Sequence, residues 1–186
     1  MTALKQEIAQ QRPFASAHEE ALLNLMRTAD CINRAFQHAT REWGITGTQY
    51  NVLRILRGAA PSGLPCSVIG DRMITAEPDI TRLLARLKAL KFIRQQRDRR
   101  DRRVVLTFIS EAGQELLRQM DPTIERMPQE LLGHLKPDEL SEFIQLLEYA
   151  RKGCDNRSQK SPTCTGADSL PTCDGLSCDG TAKKSA

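Results

Sequence analysis

The sequence predicts a mainly helical protein that carries one small β-ribbon. Of its 186 residues, 40% are hydrophobic but only 4% are aromatic, a balance that favours helices over sheets. Apolar residues recur at helical spacing along most of the stretch from residue 16 to residue 153. The exception is VVLTFI at residues 104–109, a β-branched run typical of a strand.

The longest predicted helix begins at Ser16 and ends near Gly44. Ser16 and Glu19 have the spacing of a capping box, in which each side chain accepts from a backbone N–H that the helix leaves unpaired. Glycine is a common residue just after a helix. The polar residues 1–15 are expected to form a flexible segment.

A second capping box, formed by Thr46 and Gln49, predicts a buried helix that ends near Gly58. The next segment, AAPSGLP, contains two prolines and a glycine and is therefore predicted to be a loop. A short helix is expected to follow it from about Ser67.

A further helix is predicted from Pro78 to Lys91, with proline in the first turn, where its missing N–H costs nothing. Its buried stripe is Ile80, Leu83, Leu84, Leu87 and Leu90. Together with the preceding short helix it makes a helix-turn-helix, which places its second helix in the major groove of DNA. The side chains expected nearest the bases lie at its N-terminal end: Pro78, Asp79 and Arg82. Arg86, on the outer face of the helix, is a further candidate for DNA contact.

For two of these residues the sequence allows more than one role in DNA binding. Arg82 can pair with guanine or hold a phosphate. Asp79 can accept from a cytosine amino group or orient Arg82. The sequence does not choose between them.

The segment from residue 94 to residue 103 contains six arginines and two aspartates. Because it lies between the helix-turn-helix and a strand, it is predicted to be the hairpin turn of a two- or three-stranded wing. Arginine is attracted by the negative potential of a narrow minor groove. The candidates for this contact are Arg99, Arg100, Arg102 and Arg103, with Asp101 as their tether. Taken alone, such a run is more often a solvated loop.

Two more helices are predicted after the wing. Ser110 is expected to cap the first of them, in which Pro122 and Pro128 are expected to cause a kink or a break. The second runs from Pro137 to Gly153. The apolar faces of the terminal helices exceed what a winged helix can cover, so they predict a homodimer with two recognition helices. The alternative is that these helices pack on each other within one chain.

Residues 154–186 contain no aromatic residue and four of the six cysteines, so they are expected to be a disordered tail. Their cysteine spacing does not match a standard zinc site, and no cofactor is expected.

The chain has no apolar run long enough to span a membrane and no secretory signal, which predicts a cytoplasmic protein. No pair of nucleophile and base is visible, so no enzymatic activity is expected.

The order of these elements resembles the MarR family of bacterial transcription regulators. The motifs that carry the resemblance are ITGTQYxVL from Ile45, DRR from Asp101 and SEAG from Ser110. The implied domain covers residues 16–153, with a winged helix at about 46–110 and dimerisation helices at about 16–44 and 110–153. The resemblance implies an obligate homodimer on a pseudo-palindromic operator in double-stranded DNA, with contacts from Thr48, Pro78, Asp79, Arg82, Arg102 and Arg103.

The resemblance also implies a repressor that a small aromatic or redox effector releases. His38, Trp43 and Tyr50 are candidates to line an effector pocket, although aromatic residues at this spacing equally suit a core. Two other functions stay open: a winged-helix module that binds an acidic protein, and a metal or redox protein that depends on the cysteine tail.

Overall fold

The computed structural model describes residues 3–158, with side chains described through residue 154. The described part divides into a first unit that ends at Leu135 and a second that begins at Lys136. The first unit contains the elements α1 (Ala3–Glu7), α2 (Ala17–Arg41), α3 (Gly47–Gly58), β1 (Leu64–Pro65), α4 (Cys66–Asp71), α5 (Ile80–Ala89), β2 (Ile93–Arg97), β3 (Val105–Ile109) and α6 (Glu111–Leu132). The second contains α7 (Pro137–Ser158). The predicted mainly helical fold with a winged helix-turn-helix is confirmed.

The three strands form one antiparallel sheet in the order β1-β3-β2, so β3 is central. Ile93 pairs with Ile109 at one end of the hairpin, and Arg97 pairs with Val105 at the other. The arginine run therefore begins inside β2 and not, as predicted, in the turn. Because Arg94 and Arg97 are exposed, β2 pairs with β3 without burying their charge.

The core of the first unit lies where α3, α5 and α6 meet the sheet. Its fully buried side chains include Leu53, Leu56, Leu84, Leu87 and Leu117. Each such leucine contributes roughly 1.5–3 kcal/mol by leaving water. This packing fixes which face of α5 is left outside.

The predicted buried stripe of α5 holds for Leu83, Leu84 and Leu87, but Leu90 is 46% exposed. Leu90 is the C-cap of the helix, and Lys91 after it has φ +62°. The N–H groups of Lys91 and Phe92 donate to the Lys88 and Leu87 carbonyls, which closes a Schellman motif and turns the chain toward β2.

The predicted helix starts at Ser16, Thr46 and Ser110 are present, and each hydroxyl accepts from the backbone N–H three residues on. At Thr46 the capping box is complete, because the Gln49 side chain accepts from the Thr46 N–H. The Glu19 carboxylate accepts instead from the N–H of Ala15, one residue before the cap.

Three helices, α1, α6 and α7, differ from expectation in other ways. The helix α1 lies within the segment expected to be flexible, and its Leu4 is buried. The helix α6 continues through Pro122 and Pro128; burial of Met120 and Ile124 on either side of Pro122 holds it there.

The helix α7 continues past Gly153 to Ser158 and so includes residues 154–158, which were expected to belong to the tail. Glycine lowers helix stability by about 1 kcal/mol but does not by itself end a helix. The rest of the expected tail lies outside the described residues.

Candidate nucleic-acid interface

The start of the recognition helix α5 is defined by Asp79. Its Oδ1 accepts from the backbone N–H of Arg82 at 2.9 Å, which makes Asp79 the N-cap. Pro78 lies one residue before the cap, not in the first helical turn as expected. The reason is that the aspartate side chain supplies the missing hydrogen-bond acceptor and so sets the boundary. Asp79 therefore orients the backbone of Arg82.

The outer face of α5 carries the two expected basic side chains, Arg82 and Arg86. Both are exposed, whereas Leu83 and Leu87 are buried on the opposite face. Within the part of the chain that the structure describes, neither guanidinium makes an ion pair. Both are therefore available to an anionic partner such as a phosphate or to a guanine edge.

The connection between α4 and α5 is held to α3 by the side chain of Asn51, which no sequence motif identifies. Asn51 Oδ1 accepts from the backbone N–H of Ile74 at 3.1 Å. Thr48, which the family resemblance assigned to DNA contact, is half-buried one turn before Asn51. Sequence spacing alone could not reveal this contact because 23 residues separate its two partners.

The tip of the wing is shaped by two aspartates. Asp98 Oδ1 accepts from the Arg100 N–H at 2.6 Å, and Asp101 Oδ1 accepts from the Arg103 N–H at 2.9 Å. Asp101 Oδ1 also lies 3.3 Å from Nε of Arg103. The four arginines of the tip, which are Arg99, Arg100, Arg102 and Arg103, are all exposed. Asp101 tethers one of them, Arg103, rather than the whole set.

The base of the wing is held by an aromatic ring. The guanidinium carbon of Arg94 lies 4.2 Å from the centroid of the Phe108 ring. On the loop before β1, Gly63 has φ +66°, and a Cβ there would meet the same ring. Glycine is thus needed for both its conformation and its small size, and the wing packs against the rest of the domain at this point.

The SEAG motif joins the wing to α6. The Ser110 hydroxyl donates to the Lys91 carbonyl at 2.7 Å and accepts from the Gly113 N–H at 3.1 Å. A Cβ at Gly113 would collide with the carbonyl oxygen of Phe92. This close approach explains the serine and the glycine of the motif: the helix begins directly against the turn that leads into β2.

A cavity of about 950 Å³ lies between α2, α3 and α5. Tyr50 lines it, whereas the other two expected effector residues, His38 and Trp43, do not. His38 is exposed, and Trp43 is half-buried. The cavity is also lined by residues of α2 and α3 that no sequence motif identifies, among them Phe36, Thr40, Arg41, Asn51 and Arg54.

Tyr50 has a distinct environment in this cavity. Burial raises the pKa of its phenol above the usual value of 10.0, while the Arg54 guanidinium opposes that shift. The Phe36 ring meets it edge-on at a centroid distance of 5.4 Å. The Tyr50 phenol therefore stays protonated at neutral pH and can donate a hydrogen bond.

Three further observations concern the described residues alone. They contain no cluster of three or more His, Cys, Asp or Glu side chains that could hold a metal ion. Among the same residues, no helix combines the length and the apolar composition that a membrane span requires. Of the cysteines in the body of the chain, Cys31 is exposed and Cys66 is half-buried.

A helix-turn-helix with an exposed basic second helix, followed by a β-hairpin with an arginine-rich tip, defines a winged-helix DNA-binding protein. Residues 43–104 match the sequence model of the MarR family. YkoM, an uncharacterised HTH-type transcriptional regulator of Bacillus subtilis (strain 168), is 27% identical over 141 residues, 74% of this chain and 90% of YkoM.

Two solved structures are also similar to this chain. A MarR transcription factor from Planctomyces limnophilus is 36% identical, with a TM-score of 0.57 and coverage of 74% of this chain and 99% of that one. BpsR of Bordetella bronchiseptica is 26% identical, with a TM-score of 0.63 and coverage of 72% and 99%. The protein belongs to the MarR family and is a DNA-binding transcriptional regulator, not an enzyme.

Proposed function

We propose that the protein is a homodimeric repressor that binds a pseudo-palindromic operator and is released from it by a small aromatic effector. Its main support is the pairing of two separate basic elements, the outer face of α5 and the wing tip, in one domain. A two-fold axis would present two copies of each to two half-sites of the DNA. Such a protein acts on the chromosome, so we place its action in the cytoplasm.

Support for the dimer comes from exposed apolar side chains on the long helices. On α2 these are Leu22, Leu25 and Met26, which are 58%, 40% and 60% exposed. On α7 they are Ile144, Leu146 and Tyr149. Leu22, Leu25 and Met26 have the i, i+3, i+4 spacing of one helix face. An exposed apolar face of this kind is usually covered by a partner, and we propose a second copy of the chain.

Sedimentation velocity tests the dimer. The double variant Leu22→Asp with Met26→Asp is expected to sediment as a monomer and to lose operator binding, whereas the wild type sediments as a dimer. Thr28→Asp, which adds a charge at an exposed polar position of the same helix, is the matched control and is expected to stay dimeric. A monomeric wild type at micromolar concentration that still binds the operator would contradict the proposal.

Support for the effector comes from the cavity and from one relative. DNA binding by BpsR is regulated by 6-hydroxynicotinic acid, a small aromatic acid. The cavity offers matching chemistry in this chain: the rings of Phe36 and Tyr50 for stacking and the Arg54 guanidinium for a carboxylate. Because the same cavity is lined by Arg82 of the recognition helix, a bound ligand can favour a conformation with lower DNA affinity.

Isothermal titration calorimetry with a panel of small aromatic acids, 6-hydroxynicotinic acid among them, tests this part. An active ligand is expected to weaken operator binding, and Arg54→Ala is expected to weaken the ligand. Arg118→Ala, an exposed arginine outside the cavity, is the control. Ligand affinity unchanged by Arg54→Ala would place the effector elsewhere.

The DNA function itself is tested by selecting bound fragments from genomic DNA and measuring their affinity against unrelated duplexes. We expect sequence preference at every salt concentration, together with a steep fall in affinity as salt rises. Equal binding to all duplexes would instead favour a winged-helix module that binds acidic proteins, since a basic patch alone produces salt sensitivity with either partner.

A further inference from the structure

One apolar side chain beside the recognition helix lacks a role in the fold. Ile74, in the connection between α4 and α5, is 83% exposed, the highest value among the exposed large hydrophobic residues of the described chain. Its side chain therefore contributes little to the core. The other exposed aliphatic side chains that suit a dimer interface lie on α2 and α7, so the proposed dimer does not explain Ile74.

The position of Ile74 is nevertheless fixed. Its backbone N–H donates to Asn51 Oδ1 at 3.1 Å, and the preceding N–H, that of Met73, donates to the Gly70 carbonyl at 3.1 Å. Asn51 is half-buried in α3, which packs in the core. These two hydrogen bonds hold the backbone at Ile74 in one position, so its side chain is presented at a defined place.

That place is the concave surface that also carries the candidate DNA contacts. Ile74 lines the cavity together with Thr48, Asp79, Arg82 and Arg86. It therefore lies on the N-terminal side of α5, the end of a recognition helix that contacts base edges. In the major groove the one apolar group that a base edge offers is the 5-methyl of thymine.

We infer that Ile74 is a specificity-determining residue that contacts the 5-methyl group of a thymine in each operator half-site. The inference rests on the proposed binding of an operator by α5. Arg82 reads or holds polar groups of the DNA, whereas Ile74 supplies an apolar contact that a cytosine at the same position does not satisfy. A thymine is then preferred at one position next to the bases that α5 reaches.

Deoxyuridine substitution tests this contact because uracil differs from thymine only by the missing methyl group. Each symmetry-related pair of thymines in the selected operator is replaced in turn, and the dissociation constants of wild type and Ile74→Ser are measured by fluorescence anisotropy. For the wild type we expect one pair whose replacement weakens binding by about threefold to tenfold. Ile74→Ser is expected to bind the thymine operator as weakly as the wild type binds that uracil operator, and to be insensitive to the replacement.

Ile74→Val keeps a branched apolar side chain and is expected to retain most of the discrimination. Leu90→Ser, at the other end of α5 and also exposed, is the control and is expected to respond to uracil as the wild type does. Equal uracil sensitivity in Ile74→Ser and wild type, or no sensitive thymine at all, would overturn the inference. If the wild type shows no preferred sequence, the proposed operator binding fails instead, and the two failures are distinct.

Discussion

The recognition helix α5 and the wing both present arginines, but they are positioned in different ways. Behind Arg82 and Arg86 the helix packs Leu83, Leu84 and Leu87 into the core, and Asp79 fixes its first turn. The wing tip is held by the β2–β3 ladder and by the turns at Asp98 and Asp101. Arg103 at this tip is 93% exposed.

This difference indicates a division of labour. A side chain on a helix with a buried face is placed within a narrow range, which base recognition needs because hydrogen bonds depend steeply on distance and angle. Exposed arginines on a hairpin tip adapt their positions and suit contacts with phosphates and with the shape of the minor groove. We therefore expect α5 to determine sequence preference and the wing to supply affinity.

The largest effect is expected from the wing. Replacing its four tip arginines with alanine removes eight charges from the proposed dimer, and we expect operator affinity to fall on the order of 10³-fold at low salt, with a shallower salt dependence. Anisotropy titrations across a series of salt concentrations measure both. The charge-matched control replaces four exposed arginines outside the interface, Arg12, Arg34, Arg118 and Arg126. If the salt dependence of the wing variant equals that of the wild type, the wing does not contact the DNA.

The next largest effect is expected at Arg82. Loss of one bidentate base contact costs about 1–3 kcal/mol per half-site, so Arg82→Ala is expected to weaken operator binding markedly while nearly preserving affinity for unrelated DNA. Arg82→Lys distinguishes the two roles left open by the sequence. Lysine restores a phosphate contact but not a bidentate pair with guanine. If Arg82→Lys restores operator affinity fully, Arg82 contacts a phosphate of the DNA and not a guanine.

A smaller effect, on stability, is expected at Asp79. Because its side chain caps α5, Asp79→Ala is expected to lower the free energy of unfolding by about 0.5–2 kcal/mol. Asp79→Ser keeps an acceptor at the cap and is expected to restore the stability. Thermal denaturation followed by circular dichroism measures both variants. If serine restores stability but not operator affinity, then Asp79 also contacts a base.

The smallest effect is expected at Asp101. Its contacts with Arg103 are exposed, and exposed pairs contribute roughly 0.2–1 kcal/mol. Asp101→Ala should therefore weaken operator binding by less than about fivefold, even though it removes a negative charge that DNA repels. Asp98→Ala, which opens the other turn of the same tip, is the natural comparison. If Asp101→Ala binds the operator more tightly than the wild type, the repulsion between the Asp101 charge and DNA has a larger effect than the ordering of Arg103.

The sequence predicted those parts of the molecule that depend on local rules. The Thr46 and Ser110 hydroxyls each accept from the backbone N–H three residues on, so spacing alone reveals these caps. The wing could be predicted equally well from the sequence, because a run of β-branched residues follows the charged run. The predicted start of α5, Pro78, lies two residues before its first helical residue, Ile80. Pro78 and Asp79 both favour a helix start, and only the hydrogen bond to Arg82 identifies Asp79 as the cap.

Contacts between distant segments were beyond the reach of local rules. Arg57 of α3 binds Asp121 of α6 through two hydrogen bonds of 3.0 Å and 2.7 Å, and Asn51 binds the backbone of Ile74. No periodicity links such partners. For the same reason the sequence placed Tyr50 in the cavity together with His38 and Trp43, whereas the cavity wall is formed by residues of α2, α3 and α5.

The division of labour between α5 and the wing is tested most directly by one ratio, the affinity for the selected operator divided by the affinity for an unrelated duplex of equal length, measured at one salt concentration. For Arg82→Ala we expect this ratio to fall by about tenfold or more relative to the wild type. For the wing variant without its four tip arginines we expect both affinities to fall together and the ratio to stay near that of the wild type. The opposite pattern, in which the ratio falls in the wing variant and stays unchanged in Arg82→Ala, would contradict the claim that α5 determines sequence preference and the wing supplies affinity.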